Sequence, residues 1–498
     1  MSEYKVKSQL NEIEKRLFSS QLKVNGISIW PLVKDCFFFK LLSYENDKSK
    51  ITSASDIYSV PKLYSLKKLY YQFRYLFYLN KIKNEIKSTT DEVLFLFFDV
   101  TNAEYLDNLN GKSYSRFITP YYDKIKEKYK TFMVKLPIQY EPRLNKLNLS
   151  HESEFLLIAK KFYFLANIGK MIESKTELAK LTQSMDEVIN SDFKFEHYSG
   201  ELSLKLLEIN FYKEMSKIYF KHVKPQVVFL ETFYGHPDYY GVILQAREYG
   251  IKVVDIQHGN ASSFMYSGYE FEKNEIGCLL PNYYWTWSKL EFNQMNNQRK
   301  DSELLKPIHL GKCEFVDDVI EDADLVDFFE FQKSKYDKLV LISFQYYYRE
   351  YEFLSQIINE SKNTLFLIRF HPLDYKDVGF REYYINLFSS YTNIEYKIAT
   401  YSSLDSLLKY SDLHMTLFST VGIEALKYGL RTVLLNKKYA DSHFSEYVSR
   451  GVFLTFENNF QLLNIIKDTN KLSLNEKEYF SHSVLDKDFK DRLQTILN

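Results

Sequence analysis

Thr364-Leu365-Phe366-Leu367-Ile368-Arg369-Phe370-His371-Pro372 is the stretch on which the reading of the whole chain turns. Its apolar run breaks abruptly into Arg-Phe-His-Pro, the pattern of a buried strand delivering a cation and an imidazole to its carboxyl end. Proline then stops the strand, having no N–H to give a ladder. A second unit of the same kind follows. Leu413 to Phe418 reads as a strand, Ser419-Thr420 as its turn, and Val421 to Tyr428 as a short helix closed by Gly429 at its C-cap. Arg431 to Leu435 is the next strand. In an open parallel sheet ligands bind beyond the carboxyl ends of the strands, where helix N-termini offer N–H groups to an anion. One strand end with His371 and another with Ser419-Thr420 therefore predict a phosphate site on a nucleotide-binding domain.

Working outward, the same alternation continues on both sides. Lys338 to Phe344 is a strand whose end, Gln345-Tyr346-Tyr347-Tyr348-Arg349, faces the same crevice. Helices over Tyr351–Glu360, Phe380–Ser389 and Ser403–Tyr410 and a strand over Ile394–Ile398 complete this half. Upstream, strands are predicted at Glu92–Phe98, Thr131–Leu136, Pro225–Leu230, Ile251–Ile256, Pro281–Trp287 and Ile308–Lys312. Strands alternating with helices mean parallel sheets with right-handed crossovers. Two adjacent strand ends of the first half present Glu231, His236, Asp238 and His258, the last within Gln257-His258-Gly259-Asn260. Carboxylates and imidazoles converging on a crevice can supply a general base. The polar segment Thr101–Ser115 enlarges the first loop at the carboxyl edge, which makes Tyr114 and Arg116 candidate acceptor contacts.

The fold class is α/β: two Rossmann-like domains with parallel sheets facing a central crevice, and an N-terminal helical arm. The boundaries read as 1–88 for the arm, 89–313 for the first domain with a helical insertion, 314–337 for an acidic linker, 338–470 for the second domain and 471–498 for a helical tail. The tail after Asp441 reads as helical and polar, and is expected to return to the first domain. Acids between Glu314 and Glu330 have no ligand spacing and read as a solvated connector.

Composition narrows the function. Lys plus Arg and Asp plus Glu are 65 each among 498 residues, so no global field draws the chain to nucleic acid. Cys36, Cys278 and Cys313 are far apart and lack metal-ligand spacing, which fits structural thiols in a reducing compartment. Neither a signal-peptide core at the N-terminus nor an apolar run of about 20 residues is present, so a soluble or peripheral protein is expected. The 42 Tyr and 40 Phe, beside abundant Lys, Asn and Ile, point to genomic base bias more than to stacking. From Pro61 to Lys83 the chain is basic and aromatic with no acid. Such a helix suits an anionic membrane surface, held by Lys62, Lys67, Lys68, Arg74, Lys81 and Lys83, or packs on the body with its lysines snorkelling.

Gln257-His258-Gly259, Arg369-Phe370-His371-Pro372 and Ser419-Thr420-Val421-Gly422-Ile423-Glu424 on successive predicted strand ends resemble the GT-B glycosyltransferases of bacterial capsule and lipopolysaccharide assembly. The His-Pro dipeptide with a later Ser-Thr turn is similar to the CMP-sugar transferases of sialyl, polysialyl and Kdo type, and CDP-glycerol phosphotransferases share related elements. The resemblance covers Glu92 to Asn436. It implies a cytoplasmic transferase, which the basic helix would set peripherally on the inner membrane face, that moves a sugar from a nucleotide donor to a surface polysaccharide or lipid-linked oligosaccharide. His371 then falls on the donor phosphate or cytidine ribose, Ser419 and Thr420 on the phosphate, and Glu424 on the ribose hydroxyls, with Arg369 and Gln345 beside them. In that family an acidic pair followed by glycine supplies the base. Here Glu231-Thr232-Phe233-Tyr234-Gly235 stands instead, so Glu231 comes first, Asp238 second and His258 third. No cofactor beyond the donor is implied, and Asp322 and Asp324, within the acidic connector, are not read as a metal-holding Asp-x-Asp element. The alternatives are a CDP-alditol polyol-phosphate transferase, a nucleotide-sugar epimerase, and a catalytically silent scaffold of a polysaccharide-assembly complex.

Overall fold

The computed structural model describes residues 2–21, 23–46, 64–89, 92–100, 106–109, 112–115, 117–136, 151–189, 191–260, 266, 278–299, 302–313, 323–345, 351–371, 378–437, 440, 443–468, 470–473 and 489–497. Twelve strands make two parallel six-stranded sheets. In the first half they are β1 (Phe95–Val100), β2 (Thr131–Leu136), β3 (Val227–Glu231), β4 (Lys252–Ile256), β5 (Tyr283–Thr286) and β6 (Lys306–His309). In the second they are β7 (Lys338–Ser343), β8 (Thr364–Arg369), β9 (Ile394–Glu395), β10 (Leu413–Thr416), β11 (Thr432–Leu434) and β12 (Phe453–Leu454). The first sheet runs β2-β1-β3-β4-β5-β6 and the second β9-β8-β7-β10-β11-β12. The second order is that of a Rossmann sheet, reversing direction between β7 and β10; the first reverses between β1 and β3. Central strands are buried on both faces, which is why they read as unbroken apolar runs.

Two expectations change. The strand predicted over Ile394–Ile398 stops at Glu395, because the Glu395 carboxylate accepts the Ile398 N–H at 2.8 Å and turns the chain into the helix Lys397–Tyr401. The tail read as helical contains β12, a short strand paired with β11 at the edge of the second sheet. Beyond it, the helix Phe489–Leu497 sets Leu493 and Ile496 among Phe95, Phe97 and Val227 beneath the first sheet.

The N-terminal helices Ser2–Gln21 and Trp30–Asn46 share one core with the first half: Val6, Leu10, Val33 and Phe37 belong to the cluster that holds Leu206, Phe211 and Ile243. Aromatic rings fill much of it, as where Phe37 meets Phe195 at 4.8 Å. Helices Ser199–Val223 and Pro237–Glu248 pack backbone to backbone at Gly241, where an added Cβ would stand 2.5 Å from the Ile209 carbonyl. The three cysteines are buried thiols. Of the basic residues expected to face a membrane, Arg74 is turned inward, its guanidinium 5.2 Å from the Phe162 ring and bonded to the Tyr78 hydroxyl at 3.2 Å. Lys62 lies outside the described residues. No described helix is long and apolar enough to cross a membrane.

In the centre of the second sheet, His414 on β10 joins three strands, with Nε2 3.0 Å from Ser343 Oγ and Nδ1 3.0 Å from Thr432 Oγ1. Burial pushes its pKa down to about 3. The folded pKa lies below the unfolded one, so between about pH 6.5 and 3 the unfolded chain binds the extra proton. The neutral ring's contribution is thus complete above pH 6.5 and is lost as pH falls from there. His414→Leu is expected to cost about 1–3 kcal/mol at pH 7, by stranding two hydroxyls. Urea unfolding at pH 5 should show the gap from wild type smaller by about 2 kcal/mol.

Candidate functional site

The reversal point of the first sheet lies between β1 and β3, and three carboxylates gather there. Asp99 near the end of β1, Glu231 at the end of β3 and Asp255 on β4 are all buried. Register sets Asp255 opposite Leu230, one step from Glu231. Burial holds the Glu231 carboxyl well above the usual carboxylate range, and the charges of Asp99 and Asp255 push it further the same way. Asp255 is likewise raised by burial, although it accepts the Phe233 N–H at 3.1 Å. Among the described residues, Glu231 Oε2 has no hydrogen-bond partner. The next residue, Thr232, has φ +52°, a left-handed conformation that a β-branched residue adopts only under strain. A strained turn thus follows a carboxyl whose protonated form burial favours. Among the described residues, no three His, Cys, Asp or Glu side chains are arranged to hold a metal ion.

The loop after β3 is braced from the N-terminal arm. Asp35 accepts the Gly235 N–H at 2.7 Å, and Gly235 takes φ +79°. His236 precedes the helix Pro237–Glu248, and its Nδ1 lies 3.8 Å from Oδ1 of Asp238 in that helix's first turn. The His236 side chain is about a third exposed, at 32%, whereas Asp238 at 11% sits behind it. Burial raises the Asp238 pKa, His236 opposes that, and Glu208 reinforces it. On the neighbouring strand end, His258 stands between the Phe117 and Tyr234 rings, and burial, helped by His236, lowers its pKa to about 4. Gln257 is structural: its amide donates to the Gly259 carbonyl at 2.7 Å and to Glu291 at 2.6 Å, and accepts the Trp287 N–H.

In the second half, the ends of β7 and β10 flank the reversal point. Gln345 follows β7, its N–H donated to the Tyr351 hydroxyl at 2.7 Å. Ser419-Thr420 follow β10. The Ser419 N–H goes to Thr416 Oγ1 and its own Oγ accepts the Val421 N–H at 3.3 Å, so the turn is braced from within. The predicted helix is α only over Val421–Ala425 and tightens to 3-10 over Leu426–Tyr428, which shortens its dipole; Gly429 ends it at φ +71°. His371, half-buried beyond β8, has its pKa lowered to about 4 by burial and then by Arg369, so it meets a ligand as a neutral ring rather than a cation. Arg369 itself donates to the carbonyls of Ala399 and Ser402 at 2.9 and 2.8 Å, bracing the β8 end against the helix Lys397–Tyr401. Tyr114 lies on the short hairpin Leu106–Leu109/Lys112–Ser115, opposite Asp107. Arg116 lies outside the described residues.

The halves meet along one side. A Cβ on Gly259 would stand 3.4 Å from Thr420 Cγ2, and Asn260 donates to the His443 carbonyl. Phe117, Trp287 and Leu290 of the first half share an apolar cluster with Ile423, Leu434, Phe444 and Phe453 of the second. Lys312 crosses the seam to Glu424, Nζ to Oε2 2.8 Å, with its ammonium 4.8 Å from the Trp287 ring. The carboxylate predicted for ribose is therefore occupied by a lysine that sequence reading did not connect with it. Because Glu424 is buried, Lys312→Met is expected to lower stability by about 3 kcal/mol, with much of it regained in Lys312→Met/Glu424→Gln, as read by thermal unfolding. The seam joins β4 and β5 of one sheet to β10–β12 of the other. The strand ends carrying Asp99, Glu231, Gln345 and His371 belong to β1, β3, β7 and β8, none of them among the seam strands.

Two parallel sheets facing each other across such a seam are the GT-B architecture. No protein-family model matches the chain, and no curated protein matches it in sequence. Solved structures resemble it at low identity. UDP-GlcNAc 2-epimerase from Neisseria meningitidis bound to UDP-GlcNAc is 14% identical, with TM-score 0.47 over 81% of this chain and 99% of that one. The Methanocaldococcus jannaschii UDP-GlcNAc 2-epimerase in complex with UDP-GlcNAc and UDP is 14% identical, with TM-score 0.45 over 81% and 99%. The wall teichoic acid polymerase TagF is 11% identical, with TM-score 0.39 over 87% and 94%.

Proposed function

We propose that the chain is a glycosyltransferase that moves a sugar from a nucleotide donor, with a CMP-linked sugar the first choice, onto a growing surface polysaccharide or lipid-linked oligosaccharide. The observation that carries this is the presence of a reversal point in each sheet, the first lined by buried carboxyls that burial raises and the second by an imidazole and hydroxyls. In the proposed reaction Glu231, ionised, takes the proton of the acceptor hydroxyl as that oxygen attacks the anomeric carbon. The bond from this carbon to the donor phosphate breaks, and its electron pair leaves with the nucleotide. His371 and the Ser419 and Thr420 hydroxyls stabilise the departing phosphate by hydrogen bonds. Asp238 with His236, and His258, are the further base candidates, and Tyr114 and Arg116 the acceptor contacts. Glu424 reaches the ribose only if Lys312 releases it.

A second reading, transfer of a polyol phosphate from a CDP-alditol, draws on two neutral imidazoles, His258 in the first half and His371 in the second. Calorimetry with CMP, CDP, UDP and GDP, followed by mass spectrometry of an acceptor oligosaccharide, tests both. Cytidine nucleotide binding with gain of one sugar residue is the expected result. Gain of a polyol phosphate selects the second reading. Failure to bind any of the four, or donor conversion that needs no acceptor, overturns transfer.

A further inference from the structure

The helix Tyr64–Thr89 leaves five large apolar side chains in solvent within two and a half turns: Leu69 at 75% exposure, Tyr70 at 56%, Phe73 at 69%, Leu76 at 58% and Phe77 at 45%. No other described element exposes more than two. Positions 69, 73 and 76 are one helical stripe, with 70 and 77 beside it. The opposite face is already used: Tyr75 meets Tyr163 at 5.2 Å, Tyr78 stacks on Phe162, and Ile82 and Ile86 are buried in the core of the first half. Among the described residues, packing therefore does not account for the outer stripe.

Along the helix itself the charge has one sign up to Asn84. From Tyr64 to Asn84 the helix contains no acid, while Lys67, Lys68, Lys81 and Lys83 are all exposed. On the helical wheel Lys67 and Lys81 fall to one side of the stripe, and Lys68 and Lys83 to the other. We propose that this face docks on an anionic lipid bilayer, the apolar stripe entering the headgroup boundary while the lysines lie among the lipid phosphates. Two observations choose the occupant. A symmetric pairing of two copies through this stripe would set each lysine flank against its own image. The face is also a convex ridge about 12 Å long, which suits insertion into a fluid boundary. The helix lies on the surface and does not cross it, since it is not apolar enough to span. The inference is independent of glycosyl transfer and stands or falls by itself.

Co-sedimentation with phosphatidylcholine vesicles, with and without about a third phosphatidylglycerol, tests it on the full chain at low and high salt. Wild type should sediment with the anionic vesicles at low salt and be released by high salt. Lys67→Glu/Lys68→Glu should weaken binding at least about 25-fold, from about fivefold per lost cation. Phe73→Asn/Leu76→Asn should weaken it at least about tenfold while circular dichroism stays native, these side chains being exposed. Because the helix has no tryptophan of its own, Phe73→Trp gives a separate readout, and the emission of that variant should shift to the blue with anionic vesicles alone. Absence of binding at low salt, equal binding by the charge-reversed variant, or an emission from the Phe73→Trp variant that anionic vesicles leave unshifted would overturn the proposal. So would a sedimentation-velocity dimer that Leu76→Asp dissociates, which would give the stripe to a second copy.

Discussion

Glu231→Gln is expected to lower the rate of transfer by about a hundred- to ten-thousand-fold while leaving nucleotide affinity within about twofold. The amide keeps the size of the side chain and its place at the end of β3, so only its capacity to take a proton is lost. Wild-type pH dependence supplies the second half of this prediction. Glu231 is held well above the usual carboxylate range by burial and by Asp99 and Asp255, so its protonated form is favoured when the crevice is empty. A base must be ionised to act. The rate should therefore rise with pH through the raised pKa and fall as pH drops below it, well above where an exposed glutamate would lose activity. Asp99→Asn should move that limb to lower pH by removing one of the like charges. If Glu231→Gln transfers at the wild-type rate while Asp238→Asn or His258→Ala does not, the base lies on that residue instead.

His371→Ala should weaken cytidine nucleotide binding by about 10- to 150-fold, the range for a lost hydrogen bond to a charged group. With its pKa near 4, the ring is neutral at pH 7 and can donate one hydrogen bond to a phosphate oxygen without first being desolvated as a cation. Bound phosphate favours the protonated ring, so wild-type affinity should strengthen as pH falls from 7 towards 5, and the variant should lack that gain. Calorimetry at the two pH values reads both effects. Binding undisturbed by the substitution would remove His371 from the donor site. His371→Asn, which keeps a donor but does not titrate, should restore part of the affinity without the pH response.

What can be seen in advance follows from where the chemistry sits along the chain. His371, Ser419 and Glu231 each end an apolar run, and a polar residue that breaks such a run is conspicuous. Asp99 and Asp255 are enclosed by apolar neighbours, Phe98 and Val100 in one case and Val254 and Ile256 in the other, so each looks like an isolated interruption. Only the pairing of β1 with β3 and of β3 with β4 brings them beside Glu231, and strand pairing is non-local. The same holds for Lys312 and Glu424, 112 positions apart, and for Asp35 and Gly235, 200 apart. Arg369 is legible as a cation at a strand end. That its guanidinium is committed to the Ala399 and Ser402 carbonyls depends on a helix where the residue pattern predicts strand.

The apolar seam limits how the two lobes can move. Phe117 and Trp287 interlock with Ile423 and Phe453 near one margin of both sheets, and the terminal helix Phe489–Leu497 brings the chain back beneath the first lobe after the second is complete. Two covalent passages and one greasy axle leave a swing as the easy displacement. Atoms at Gly259 and Thr420, close to the axle, then shift little, whereas Glu231, one strand farther along its sheet on β3, and His371, beyond β8, travel more. A small rotation there would be enough to admit a nucleotide and, on reversal, to shed the water around it.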